Sequence, residues 1–205
     1  MTGWQLFLAG GPLMWPILGC GILACALALE RFQYLSRAGN AGRQALAQVF
    51  DLVKRNQIKE AVKSCESHAF PVTRVLKAGI LKYDRPRSQI KEALEDAAQY
   101  EIPRLEKNLP LLATIAHIAP LVGLLGTAAG MVSCFYALHS ASAAGSAVST
   151  ADLAGGIWQA LVTTCAGLTV AIPAYAAYNY LVSRVDGLIM EMEQASSELV
   201  NSLSE

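Results

Sequence analysis

The sequence predicts an all-α integral membrane protein with three transmembrane helices, the second and third of them extended into a cytoplasmic helical domain. Composition is the first ground for this: 54% of the 205 residues are hydrophobic and mean hydropathy is +0.37, on the membrane side of the usual range. The second is where the charges sit. No Asp, Glu, Lys or Arg precedes Glu30, none occurs from Asn108 to Ala151, and after Asp152 none follows until Arg184. A charge at the centre of a spanning helix costs about 2.5 to 3.5 kcal/mol, and about 20 apolar residues cross the bilayer, so these stretches mark spans. The third is periodicity. Between residues 40 and 100 apolar positions recur every three or four residues, as on helix faces and not as in strands.

In chain order, Gly10-Gly11-Pro12 predicts a turn before the first span, about Leu13 to Leu29, with Trp4 and Trp15 as interface anchors. Residues 1–31 form the outer N-terminus and first transmembrane helix, and 32–108 a cytoplasmic helical domain. Within that domain Pro71, Gly79 and Pro86 punctuate the apolar pattern around Ala45 to Val53 and Ile58 to Val62. Ser88 opens a charged helix that runs on through Glu101 and Lys107 into the second span, with Pro103, Pro110 and Pro120 as sites of kinking. The second span is assigned to 109–138, an Ala-, Ser- and Gly-rich outer loop to 139–156, and the third span to 157–183. Residues 184–205, with Asp186, Glu191, Glu193, Glu198 and Glu205, are expected to form a solvated helical tail.

Basic residues cluster on one side of the spans: Arg31, Arg37 and Arg43 after the first, Arg104 and Lys107 before the second, Arg184 after the third. The positive-inside rule then puts the N-terminus in the periplasm and the C-terminus in the cytoplasm. The first span lacks a basic segment ahead of it, so it is not expected to be a cleaved signal. A net charge of zero argues against nucleic acid as a partner. Cys20, Cys25, Cys65, Cys134 and Cys165 have no metal-ligand spacing and are expected to be packing residues. No nucleophile and base pair, metal ligand set or phosphate loop is legible, so neither an enzyme nor a cofactor is expected.

The stretch Pro120-Leu121-Val122-Gly123-Leu124-Leu125-Gly126-Thr127-Ala128-Ala129-Gly130 is the most informative. At 100° per residue, Ala116, Pro120, Gly123, Thr127, Gly130 and Cys134 share one side of a helix, and Gly126 with Gly130 forms a small-residue pair that permits close helix approach. In the third span Asp152, Gly156, Gln159, Thr163, Ala166 and Val170 share a face. Gln159, Thr163 and Thr164 are the polar groups at membrane depth, and they should face other helices or water. Spacing alone does not choose between Thr163 and Thr164 as a pore residue. Helix packing alone, with Thr127 bonded to its own carbonyl ladder, is the competing account of the stripe. His117 is the other candidate, since an imidazole ordinarily titrates near neutrality and could serve a proton path or act as a packing histidine.

Glu30-Arg31, Arg104-Leu105-Glu106, Leu112-Ala113-Thr114-Ile115-Ala116, Ala119-Pro120-Leu121 and Gly123-Leu124-Leu125-Gly126-Thr127 together resemble the MotA/TolQ/ExbB proton-channel family in its ExbB/TolQ branch. So do Ala160-Leu161-Val162-Thr163-Thr164, Gly167-Leu168, Val170-Ala171-Ile172-Pro173-Ala174 and Tyr178-Asn179. The resemblance implies a homo-oligomer, a pentamer, in the bacterial inner membrane. Its second and third spans would surround two copies of an ExbD/TolR-like single-span partner that carries a titratable Asp. Thr127 and Thr164 map onto the family's channel-facing threonines, with Gln159 and Thr163 beside them, and Gly123, Gly126, Gly130, Gly167, Pro120 and Pro173 serve helix packing. The implied function couples the proton-motive force to a TonB- or TolA-like protein acting at the outer membrane. A passive membrane scaffold that anchors a single-span partner is the alternative. The family's ExbB members carry Glu where this sequence has Gln159, so the resemblance supplies no carboxylate relay from this chain.

Overall fold

The computed structural model describes residues 3–68, 70–143 and 150–203, and among them every regular element is a helix. In chain order these are α1 (Gly3–Ala9), α2 (Met14–Lys54), α3 (Ile58–Ser67), α4 (Pro71–Ile80), α5 (Arg87–Glu106), α6 (Leu109–Ala143) and α7 (Thr150–Leu203). Three helical runs are long and apolar enough to cross a membrane: Met14–Lys54, Arg87–Ala141 through its α6 part, and Leu153–Leu203. The chain is an all-α, multi-pass membrane protein.

The chain divides into two compact units. One is built from Met1–Ala28 and Pro110–Asn179, the other from Leu29–Leu109 and Tyr180–Glu205. The first is nearly free of charged residues and the second holds nearly all of them, so we call them the charge-poor and charge-rich units.

In the charge-poor unit, α6 and α7 run antiparallel along a seam of small residues. A Cβ built on Gly167 would lie 2.7 Å from Ala119 O and 3.1 Å from Gly123 Cα, and one on Gly130 would lie 3.0 Å from Ala160 Cβ. Further along, one on Gly156 would lie 3.0 Å from Cys134 Cβ. Backbones this close leave no room for side chains, which is how helices associate where lipid removes the hydrophobic incentive. The first part of α2 packs on α7, with Gly21 against Val170. Large apolar side chains point outward instead: Trp15, Ile22, Leu121, Leu124, Val132, Phe135 and Ile172 are all exposed.

The charge-rich unit is packed in the opposite sense. Leu35, Val49, Leu76, Ile80, Leu94, Leu105, Leu181, Val185, Met192 and Leu199 are buried. Two arginines enclose a carboxylate: Glu101, itself buried, accepts a bond from Arg74 Nη1 at 2.9 Å and pairs with Arg104. Arg31 is 4% exposed, its guanidinium 5.4 Å from the Tyr34 ring centroid and 3.4 Å from Arg104 O.

Several boundaries differ from expectation. Helix α2 does not stop at Glu30-Arg31 but continues to Lys54. It ends there because Asn56 adopts φ 58° and Gln57 N–H donates to Leu52 O at 3.0 Å, a left-handed cap that asparagine tolerates. The charged helix does not run unbroken into the second span: α5 ends at Glu106 and Asn108 turns with φ 65°. Pro110 then falls in the first turn of α6, where no backbone donor is missed, so it begins a helix and does not kink one. Pro103, Pro120 and Pro173 do lie inside helices, and Gly79 lies inside α4. Residues 139–143 and 150–156 of the expected outer loop are helical.

The tail is not a solvated helix. Val185, Leu188, Met192, Ala195 and Leu199 are buried along one side of α7 while the acidic residues lie between them. The expectations for the side chains of Trp4, Arg43 and Asp152, and for Glu205, lie outside what is described.

Candidate functional site

The polar groups of the charge-poor unit sort into two sets by the faces that carry them. On α7, Gln159, Thr163 and Val170 share a face, and it turns towards the chain around the α1–α2 turn and the start of α2. Thr163 is 1% exposed, and its hydroxyl lies 2.7 Å from Gln159 O and 3.1 Å from Gly10 O. On its other side a Cβ on Gly126 would collide with the Thr163 side chain. Gly11 has φ +73°, and a Cβ there would strike the Gln159 amide nitrogen. That turn therefore requires glycine both for its left-handed backbone and for the space its missing side chain leaves. Gln159 and Thr163 thus pack within the chain, against the Gly10-Gly11 corner.

Thr164, one residue and about 100° further round the helix, lies outside that contact. It is half-buried, and its hydroxyl donates across the seam to Gly123 O at 2.9 Å. On α6, Thr127 sits one turn beyond Gly123, also half-buried, and donates to Leu124 O at 2.6 Å. A hydroxyl has one proton to give. With both protons committed to carbonyls, Thr127 and Thr164 present acceptor lone pairs to whatever lies outside.

The packing residues separate similarly. Gly123, Gly126, Gly130 and Gly167 are buried, and the seam passes through them. Pro120 is half-buried, and Pro173 is exposed. His117 is exposed on α6. Its Nδ1 lies 2.7 Å from Ala113 O, and its ring stands edge-to-face with Tyr175 at 5.9 Å between centroids.

Sequence reasoning missed two features. The buried Glu101 between Arg74 and Arg104 was read only as part of a charged helix, although its three-residue spacing to Arg104 was available. The seam partners of Gly123 and Gly130 on α7 could not be paired before the register between the helices was known. The cysteine expectation is refined: Cys65 is buried, and desolvation pushes its thiol up to about 11, against an opposing pull from Lys77. Among the described residues no group of His, Cys, Asp and Glu is placed to hold a metal ion. A groove of about 710 Å³ between α5 and α7, with Lys91, Leu94, Ile102, Met192 and Val200 along it, belongs to the charge-rich unit and holds none of the threonines.

Residues 67–194 match the model of the MotA/TolQ/ExbB proton channel family. The chain is 30% identical to an ExbB homologue of Methanothermobacter thermautotrophicus over 92% of its own length and 66% of the relative's. It is 37% identical to the biopolymer transport protein ExbB of Aquifex aeolicus, covering 62% of this chain and 82% of that one. With the Tol-Pal system protein TolQ of Haemophilus influenzae it shares 41% identity over 51% of this chain and 46% of the relative.

Proposed function

We propose a function that starts from one fact: the chain belongs to the MotA/TolQ/ExbB proton channel family, in its ExbB/TolQ branch. It acts as a stator subunit in the inner membrane, with its N-terminus in the periplasm and its C-terminus in the cytoplasm. Several copies, five in our reading, surround two single-span ExbD/TolR-like helices. Together they couple the proton-motive force to a TonB- or TolA-like protein. The spans contact membrane lipid, and neither nucleic acid nor a cofactor takes part. One proton crossing about 100 mV releases roughly 2.3 kcal/mol, so useful work requires several protons in repeated steps.

The observation that supports this reading is the placing of Thr127 and Thr164. Both lie half-buried beside the α6–α7 seam, away from the α7 face that Gln159 and Thr163 turn to the Gly10-Gly11 corner. A channel lined by α6 and α7 receives their lone pairs. These accept hydrogen bonds from water or from a protonated partner carboxyl, and they cannot donate to its ionised form without first leaving a carbonyl. The lining therefore favours the protonated partner. Thr163 serves a different end, holding the α1–α2 corner against α7.

Thr127→Val and Thr164→Val test the reading, because each removes a hydroxyl at nearly constant shape. Siderophore uptake and detergent resistance, both dependent on the proton-motive force, are measured in cells together with membrane assembly. Loss of one activity with assembly intact is expected, and it distinguishes TonB-like from TolA-like coupling. Full activity in both variants would leave a passive scaffold as the better account.

A further inference from the structure

We infer that His117 is a proton-accepting station of this channel, taking up its proton at Nε2. The inference rests on the channel reading above but concerns a group that the threonine lining does not include.

The tautomer follows from geometry. A carbonyl oxygen only accepts, so with Nδ1 2.7 Å from Ala113 O the ring must carry a proton on Nδ1. In the neutral ring the lone pair is then on Nε2. The bond runs from a residue to the carbonyl one turn earlier in its own helix, so it fixes the ring's orientation as well. Tyr175 holds the other side, edge-to-face at 5.9 Å, and Tyr178 stands 6.5 Å beyond Tyr175. The imidazole remains exposed. A held ring whose free lone pair lies on Nε2 is the arrangement a proton acceptor requires.

Position along the seam gives the role. At 1.5 Å per residue, His117 lies about 9 Å along α6 from Gly123, whose carbonyl Thr164 bonds. On α7, Tyr175 lies within about 20° of Thr164 round the helix, so the histidine–tyrosine pair continues the side of the seam that Thr164 occupies. From Leu109 to Ala143 α6 has no Asp, Glu, Lys or Arg, and α7 has none from Leu153 to Ser183. The part of α2 in this unit, Met14 to Ala28, has none either. Over these lengths the helices of the charge-poor unit carry no charge. The titratable group that faces His117 from α7 is the phenol of Tyr175, with that of Tyr178 behind it. The titratable side chains of α2 between Met14 and Ala28 are the thiols of Cys20 and Cys25. In the step itself the Nε2 lone pair takes a proton from hydronium, releasing water. The imidazolium then returns the proton to the next water, regenerating the neutral ring with Nδ1–H still on Ala113 O.

The test uses the full chain, purified from its membranes with its copurifying subunits and reconstituted in phosphatidylethanolamine–phosphatidylglycerol vesicles. Proton flux under an imposed potential is followed between about pH 5 and 8. The forms compared are wild type, His117→Gln, His117→Ala with and without added imidazole, and Thr127→Val. Nitrogen-15 spectra of histidine-labelled wild type in the same lipid report the tautomer without any substitution, with His117→Gln identifying the signal. The expected results are Nδ1–H in the neutral ring, loss of the pH dependence of flux in His117→Gln, and its return in His117→Ala on adding imidazole. An unchanged flux–pH profile in His117→Gln, or a neutral ring protonated on Nε2, overturns the station. If Thr127→Val still lowers flux in that case, the channel reading stands without it. A wild type that conducts no protons removes both.

Discussion

The two units of this molecule are packed on opposite rules. In the charge-rich unit leucines, valines and isoleucines are buried, as where water surrounds a fold and apolar area drives collapse. In the charge-poor unit the buried seam is Gly, Ala and Thr, and the leucines and aromatics look outward. Met14, Ile17, Leu27, Leu112 and Ile115 are large exceptions. Lipid is as apolar as leucine, so burying a leucine there gains little, whereas close backbone contact gains dispersion along the whole seam. One sequence thus uses leucine as core in one region and as solvent-facing coat in the other.

That contrast can be broken by experiment. Leu199→Ala, fully buried in the charge-rich unit, is expected to cost about 3 to 4 kcal/mol, and Leu124→Ala, exposed in the charge-poor unit, under about 0.5 kcal/mol. Denaturant unfolding in detergent, followed by tryptophan and helix signals, measures both. Equal losses would mean the charge-poor unit packs like a water-soluble core.

Glycines sharpen the point. Gly167→Ala meets backbone, Ala119 O at 2.7 Å and Gly123 Cα at 3.1 Å, which cannot give without parting the helices. A loss of about 2 to 3 kcal/mol is expected. Gly79→Ala in α4 meets the side chains of Leu94, at Cδ2 2.7 Å and Cγ 2.9 Å, and Leu199, at Cδ2 3.1 Å. These are side chains and not backbone, though both are buried, and alanine regains about 0.8 to 1 kcal/mol of helix propensity, so the loss should be smaller than for Gly167→Ala. Thermal stability of the two variants in one detergent tests the order.

Glu101→Gln should cost about 1 to 2 kcal/mol. It removes the carboxylate charge between Arg74 and Arg104, both of which can still reach water. The unfolding midpoint of this variant, set against wild type at low and high salt, checks the value.

The smallest effect is chemical. With its thiol raised from 9.0 to about 11 by burial, Cys65 should react with maleimide about 100-fold more slowly than an unshifted thiol near pH 8, as measured in a variant retaining only this cysteine. The sign follows from linkage. The fold favours the protonated thiol, so this contribution to stability is complete below pH 9.0 and is lost as pH rises towards about 11.

Much of the architecture was legible because charge and lipid are incompatible over any helical stretch. The gaps in charge located three spans and left the rest helical by periodicity. The heptad-like run Val185, Leu188, Met192, Ala195 and Leu199 was equally open to reading, but the acidic residues between its members suggested a solvated tail. Helix ends were less accessible. The turns at Asn56 and Asn108 depend on asparagines adopting positive φ, which many asparagines do not.

By itself, then, the sequence determined the helical class, the spans, the family and a short set of polar residues at membrane depth, since each follows from local composition or motif. Helix spacing left Thr163 and Thr164 open and the family resemblance pointed to Thr164, but only the tertiary structure gave the physical difference between them. The two are adjacent in the chain and identical in chemistry, yet 100° of helix rotation puts one against the Gly10-Gly11 corner and the other against Gly123. The register between α6 and α7 decides which face is interior, and register is a property of two helices that neither sequence stretch contains alone.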